Sequence, residues 1–157
     1  MALGPWNDPS VKARAYDPAL SKELLAEAGL PAGADGTRVK LRLLYNPFID
    51  GRLADFVRQS LREVGIDAVI EKLEFGAYVK AVYTDRQFDL TIESLTNVFD
   101  PTVGVQRGYW SKNFKPGLPF SNSSAYKSEE ADRLLEAAAI EVDQAKRKDL
   151  FSQFQKL

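Results

Sequence analysis

The sequence contains neither histidine nor cysteine. Its chemistry must therefore come from carboxylates, amides, hydroxyls, amines and aromatic rings. A Ser-His-Asp triad is impossible, and the side chain most used for proton transfer near neutral pH, also the commonest metal ligand, is missing. Thiolate metal sites and disulfides are excluded in the same way. Neither G-x-G-x-x-G nor a Walker loop occurs, so no glycine-rich phosphate cradle is encoded. What remains open to an enzyme is a carboxylate pair, such as Glu93 with Asp100, doing acid/base work. The other concentration of useful side chains is aromatic. Phe99, Tyr109, Trp110, Phe114, Phe120 and Tyr126 lie in a stretch from Thr96 to Lys127 that lacks helical or strand periodicity. Connections this long are usually functional or disordered, and the aromatic content argues against disorder.

The elements that must position these residues follow from periodicity and caps. Asp17-Pro18 opens a helix with Leu20, Leu24 and Leu25 as its apolar stripe, and Gly29 is a left-handed residue after its end. Val39 to Tyr45 alternates as a strand, with Val39, Leu41, Leu43 and Tyr45 on one face. Asp50 caps a helix over Gly51 to Val64, closed by Gly65. Ile66 to Leu73 is a second strand, Phe75 to Tyr83 a short helix, and Phe88 to Leu95 a third strand. Crossovers of this length imply parallel strands with right-handed connections. Ser128 and Asp143 cap two final helices, the first bearing Ala131, Leu134, Leu135 and Ala138, the second Leu150, Phe151, Phe154 and Leu157. The fold class is α/β: a mainly parallel sheet of three or more strands, flanking helices and a C-terminal helix pair.

In open parallel sheets ligands bind beyond the carboxyl ends of the strands. Those ends fall near Tyr45-Asn46, Leu73-Glu74 and Leu95-Thr96-Asn97. Geometry therefore gathers Tyr45, Asn46, Glu74, Asn97, Phe99, Asp100 and Trp110 on one edge, a mixture of aromatic faces and polar groups suited to a small-molecule cleft. Each has a plainer reading beside it. Tyr45 can pack in the core, Trp110 can anchor the loop, and Asp100 before Pro101 can cap a turn. Arg107 reads both as the partner of an anionic ligand and as a solvated loop charge. Lys146-Arg147-Lys148 reads as a solvated face, and Asn122-Ser123-Ser124 has the form of a glycosylation sequon.

A length of 157 residues fits a single domain, 1–157. With 21 basic against 22 acidic residues and no basic block, a nucleic-acid partner is not expected. No apolar run approaches the roughly 20 residues of a spanning helix. The first residues lack the charged and apolar regions of a secretion signal, and the last helix stops uncapped, so an excised piece of a longer chain is expected.

These pieces, in this order, resemble the peptide- and nickel-type (family 5) bacterial solute-binding proteins of ABC importers. Tyr16-Asp17-Pro18-Ala19 leading to Glu23-Leu24-Leu25-Ala26-Glu27-Ala28-Gly29 resembles the helix before their last sheet. Leu61-Arg62-Glu63-Val64-Gly65-Ile66 is similar to their next helix and strand. Phe88-Asp89-Leu90 and Asp100-Pro101-Thr102 resemble the strand and loop at their ligand cleft. Ser128-Glu129-Glu130-Ala131-Asp132-Arg133-Leu134-Leu135, with Asp143 and Lys146-Arg147, resembles their paired C-terminal helices. The resemblance implies part of the C-terminal lobe of a bilobed type II periplasmic binding protein. It implies hinge closure on a small-molecule or peptide ligand, a missing N-terminal lobe, membrane permease subunits as partners, and a place in the periplasm or on the outer face of the cell membrane. It implies no catalytic residues; separately, no cofactor and no metal are expected of this chain. Peptide binders of the family often carry an aspartate for the peptide ammonium three residues before the acidic residue of the Asp/Glu-Pro pair. Asn97 stands there instead, exchanging a charged hydrogen bond of roughly 1.5–3 kcal/mol for a neutral one of roughly 0.5–1.5.

Overall fold

A computed structural model describes residues 4–95 and 100–157. The chain forms two compact units, Arg14–Ser94, and Met1–Ala13 with Leu95–Leu157.

The first unit is built on three parallel strands, β1 (Val39–Tyr45), β2 (Ile66–Lys72) and β3 (Leu90–Ile92), in the order β2-β1-β3. β1 pairs with β2 along its whole length, Val39 opposite Ile66 and Tyr45 opposite Lys72, and its last three residues pair with β3. The alternation in β1 predicts one buried face, but Leu43, Leu44 and Tyr45 are all buried. The reason is that both faces are covered, as expected of a central parallel strand. Leu43 and Tyr45 pack with Ala54, Val57 and Leu61 of helix α2 (Gly51–Glu63). Leu44, pointing the other way, packs with Tyr78, Val82 and Tyr83.

That second cover differs from the regular helix expected over 75–83. Helix α3 (Phe75–Val79) runs into a π-helical turn over Lys80–Thr84, in which the Asp85 amide donates to the Lys80 carbonyl at 2.8 Å. The wider turn buries Val82 and Tyr83 side by side. β3 is also shorter than the predicted Phe88–Leu95. The Asp89 carboxylate accepts the Arg42 amide at 2.7 Å, so a side chain takes a place that another strand residue would otherwise fill.

Helix α1 (Pro18–Glu27) has its predicted Asp17 cap, and it ends at Gly29 (φ 81°) with the Leu30 amide on the Leu25 carbonyl, a Schellman closure. Its stripe is not buried: Leu20 and Leu24 are exposed. Gly65 ends α2 at φ 89°, where a Cβ would stand 2.8 Å from the Gly36 carbonyl oxygen.

The second unit is helical. α4 (Gln106–Tyr109) and a 3-10 turn (Ser111–Asn113) lie in the connection, followed by α5 (Glu129–Ile140) and α6 (Gln144–Lys156). Ser128 and Asp143 cap α5 and α6 as predicted. Ala131, Leu134, Leu135, Ala138 and Phe151 are buried. The chain start joins this unit. The Trp6 ring meets Phe151 edge-on at 5.3 Å, Gln155 donates to the Trp6 carbonyl at 3.0 Å, and Asp8 accepts from Ser152 and Lys156. The Ser152 bond is the main cause holding the Asp8 carboxyl below the usual carboxylate range. Asn122 is fully buried. Its amide group donates to the Tyr126 carbonyl at 2.8 Å and its oxygen accepts the Tyr126 amide at 3.1 Å. The Asn122 side chain is thus the internal tie of its loop.

Candidate functional site

β1 and β3 end side by side, and alternation puts Leu44, Asn46, Thr91 and Glu93 on the face covered by α3 and its π-helical extension. Asn46 is buried to 1% exposure. Its oxygen accepts the Phe48 amide at 2.9 Å, which turns the chain after β1, and its Nδ2 donates to Glu93 Oε1 at 3.3 Å. Tyr83, carried inward by the π-turn, donates its hydroxyl to Glu93 Oε2 at 3.1 Å, and the Ser94 amide reaches Oε1 at 3.2 Å. Beneath them Tyr78 and Thr91 share a hydrogen bond of 2.6 Å, and Thr91 donates to the Leu44 carbonyl. Burial, with Glu93 nearby, pushes the Tyr78 phenol well above its usual range, so it stays protonated. The carboxyl edge therefore carries an acid held by neutral donors. After β2, Glu74 precedes α3 and is exposed, and the exposed Phe48 ring meets Phe75 edge-on at 5.4 Å.

Of the predicted residues, Tyr45 and Asn46 stand at this edge. Tyr45 is core, its hydroxyl lying 3.1 Å from where a Cβ on Gly51 would be. Asn97 and Phe99 lie outside the described residues. Asp100, Arg107 and Trp110 belong to the helical unit. Asp100 makes a two-pronged ion pair with Arg147, both contacts at 2.7 Å. Arg147 also donates to Thr102 at 2.8 Å and to the Ala138 carbonyl at 2.7 Å, with its guanidinium over Trp6 and Phe151. The Arg147 pair holds the Asp100 carboxyl below the usual range. The solvated-face reading of Lys146-Arg147-Lys148 is thus corrected at its middle residue. Arg147 points inward because the charge of Asp100 and the Ala138 carbonyl need its donors. Trp110 has the contacts of a loop anchor: Nε1 donates to Glu136 at 2.8 Å and the ring packs on the Leu135–Ala138–Phe151 cluster. Arg107 is half-buried, its guanidinium 6.0 Å from the centre of the Phe120 ring.

Sequence reasoning missed Tyr83, Phe48 and Phe75, and took Glu93 only as half of an acid pair. A signal was present: Asn46 and Glu93 are polar residues at adjacent strand ends on one face. A recess of about 690 Å³ lies instead at the amino edge of the sheet, lined by Lys22, Asp35, Arg38, Lys40, Arg62 and Asp67 among others. Two of its cations are engaged within the protein, Lys40 with Asp67 at 3.8 Å and Arg38 on the Leu30 carbonyl at 2.7 Å. The carboxyl edge is the better candidate. Among the described residues no group of three potential metal ligands converges.

Residues 2–117 match the family model described as bacterial extracellular solute-binding proteins, family 5 Middle. The chain is 28% identical over 156 residues to di/tripeptide-binding protein 3 of Pseudomonas aeruginosa, covering 96% of this chain but 28% of that protein. Among solved structures it resembles the ABC transporter-associated periplasmic binding protein DppA of Helicobacter pylori in complex with the peptide STSA, at TM-score 0.82 and 26% identity, covering 97% of this chain and 28% of that one. It shares the fold of NikZ from Campylobacter jejuni, in complex with Ni(L-His), at TM-score 0.83 and 19% identity, with coverage of 96% and 31%.

Proposed function

The chain belongs to the bacterial extracellular solute-binding proteins of family 5, and we propose that it forms part of the C-terminal lobe of a longer binding protein of an ABC importer. In this reading the carboxyl edge of the sheet is one wall of an interlobe cleft. A small polar organic or peptide-like solute binds there, the lobes close about a hinge, and the loaded form is delivered to membrane permease subunits from the periplasm or the outer cell surface. The observation that carries the reading is the match of nearly the whole chain to a peptide-bound periplasmic binding protein at TM-score 0.82. From the sheet unit, Tyr45 and Asn46 are the residues proposed for that wall. Asn97, Phe99, Asp100, Arg107 and Trp110 are proposed as ligand-binding residues on the sequence alone, with Asp100 acting through Arg147 rather than as a free anion.

An acid/base enzyme built on Glu93 and Asp100 is disfavoured by the same geometry. Asp100 is held ionised by Arg147 and is a poor proton donor near neutral pH. Glu93 already accepts three hydrogen bonds. The test is small-angle scattering of the full-length protein with and without its co-purified solute, identified by mass spectrometry. Compaction on binding with the solute recovered unchanged supports the reading. Recovery of a converted product, or no compaction, overturns it.

A further inference from the structure

We propose that Glu93 is a specificity-determining residue of the carboxyl edge, selecting an organic cation whose apolar part rests on the Phe48–Phe75 pair; this rests on the solute-binding reading above. Topology places the parts. Phe75 follows β2, Phe48 follows β1 and Glu93 follows β3, so with the order β2-β1-β3 they line one edge. Asn46 couples two of them directly, accepting the Phe48 amide and donating to Glu93.

The charge argument follows from the donor set. An amide, a phenol and a backbone N–H orient the carboxylate without neutralising it. The ion pairs formed among the described residues do not include Glu93. Lys72, the basic residue at the end of β2, shares the face of Ala68 and Ile70, opposite to that of Glu93. Lys80, on the covering π-turn, is paired with Asp85. Glu74 adds a second acid to the edge without a capping bond to its own helix. A half-buried, uncompensated carboxylate gains from an incoming cation more than a solvated one does, because water screens it less. The exposed Phe48 ring, 75% accessible beside Phe75, gives the apolar part of such a solute a surface, and a cation near ring faces is favoured further.

The experiment is calorimetric titration of the full-length protein with two isosteric probes, N-acetyl-Phe-Arg-amide and N-acetyl-Phe-citrulline-amide. They differ in one positive charge and offer no terminal ammonium or carboxylate. Wild type is expected to prefer the arginine probe at least tenfold. Glu93→Gln should cut the preference below threefold, Glu93→Asp should retain most of it, and Phe48→Ala should weaken both probes alike. Thermal melts of each variant show whether it is folded, and the Asp variant keeps the test alive if the Gln variant is not. Equal binding of the two probes, binding of neither, or a preference that survives Glu93→Gln overturns the inference. A co-purified neutral or anionic solute that still drives compaction would leave the transport reading standing while this one falls. Absence of any solute-driven compaction would take down the transport reading itself.

Discussion

Replacing Arg147 by Met removes the guanidinium while keeping a long apolar stem against Trp6 and Phe151. Four hydrogen bonds go with it: two to Asp100, one to Thr102 and one to the Ala138 carbonyl. Breaking a fully buried ion pair costs about 3–5 kcal/mol, because the abandoned charge stays buried. Here the Arg147 side chain is 16% exposed but that of Asp100 is 39% exposed, so water can re-solvate much of the carboxylate. The expected loss is therefore about 2–4 kcal/mol, or roughly 5–12 °C in Tm for a chain of this size. Urea denaturation of wild type, Arg147→Met, Asp100→Asn and the double variant would measure it, with a coupling energy of about 1–3 kcal/mol. The pH dependence has a definite sign. Asp100 has a folded-state pKa below its unfolded value, so its contribution is fully present above about pH 4 and is lost as pH falls through the folded value. The gap between wild type and Arg147→Met should accordingly shrink in acid. A loss under about 0.5 kcal/mol at pH 7, or additive single variants, would refute the reasoning.

Tyr83→Phe removes a hydroxyl that donates to Glu93 and should cost about 1–2 kcal/mol in a urea titration. Leu44 and Val82 packing should be kept, so an unchanged midpoint would show the bond to be incidental. Asn122→Ala removes the buried amide that ties the Tyr126 backbone; because Tyr126 is exposed and water can replace that tie, about 1–2 kcal/mol should be lost, and limited proteolysis should cut faster within residues 111–125. Gly65→Ala forces a side chain into φ 89° and against the Gly36 carbonyl, with an expected loss of about 1–3 kcal/mol. A neutral midpoint there would mean that the turn after α2 rearranges freely.

The parallel sheet, the caps of the four longer helices and the buried stripe of α5 were legible because each is a local pattern: alternation, an Asp or Ser before a helix, a 3-4 spacing. Three things were not. The burial of Leu44 depends on a second layer of helix that β1 cannot announce by itself. The π-turn leaves no mark in the apolar spacing of Phe75, Tyr78, Val79 and Val82, yet it is what delivers Tyr83 to Glu93. The inward turn of Arg147 depends on Asp100, 47 residues away, and no local charge pattern separates it from its solvated neighbours Lys146 and Lys148. Of the candidate site, the carboxyl edge was legible from topology. The chemistry of Glu93 was not, since its donors come from β1, from the π-turn and from its own neighbour Ser94.

The seating of Trp6 and Asp8 on α6 has a consequence for synthesis on the ribosome. The sheet unit is one continuous run, Arg14–Ser94, whereas the helical unit draws on both sides of it. The bond from Ser152 to Asp8 spans 144 residues, so it cannot form until nearly all of this chain has emerged. By then the sheet unit has been available to fold for the time needed to translate everything after it, at about 5–20 residues per second. The intervening unit, once folded, brings residues 14 and 94 to a fixed separation, and the entropy of closing that loop no longer grows with the full number of links. The order of assembly is thereby set by the path of the polypeptide: β-sheet first, then capture by α6 of the segment that precedes the sheet.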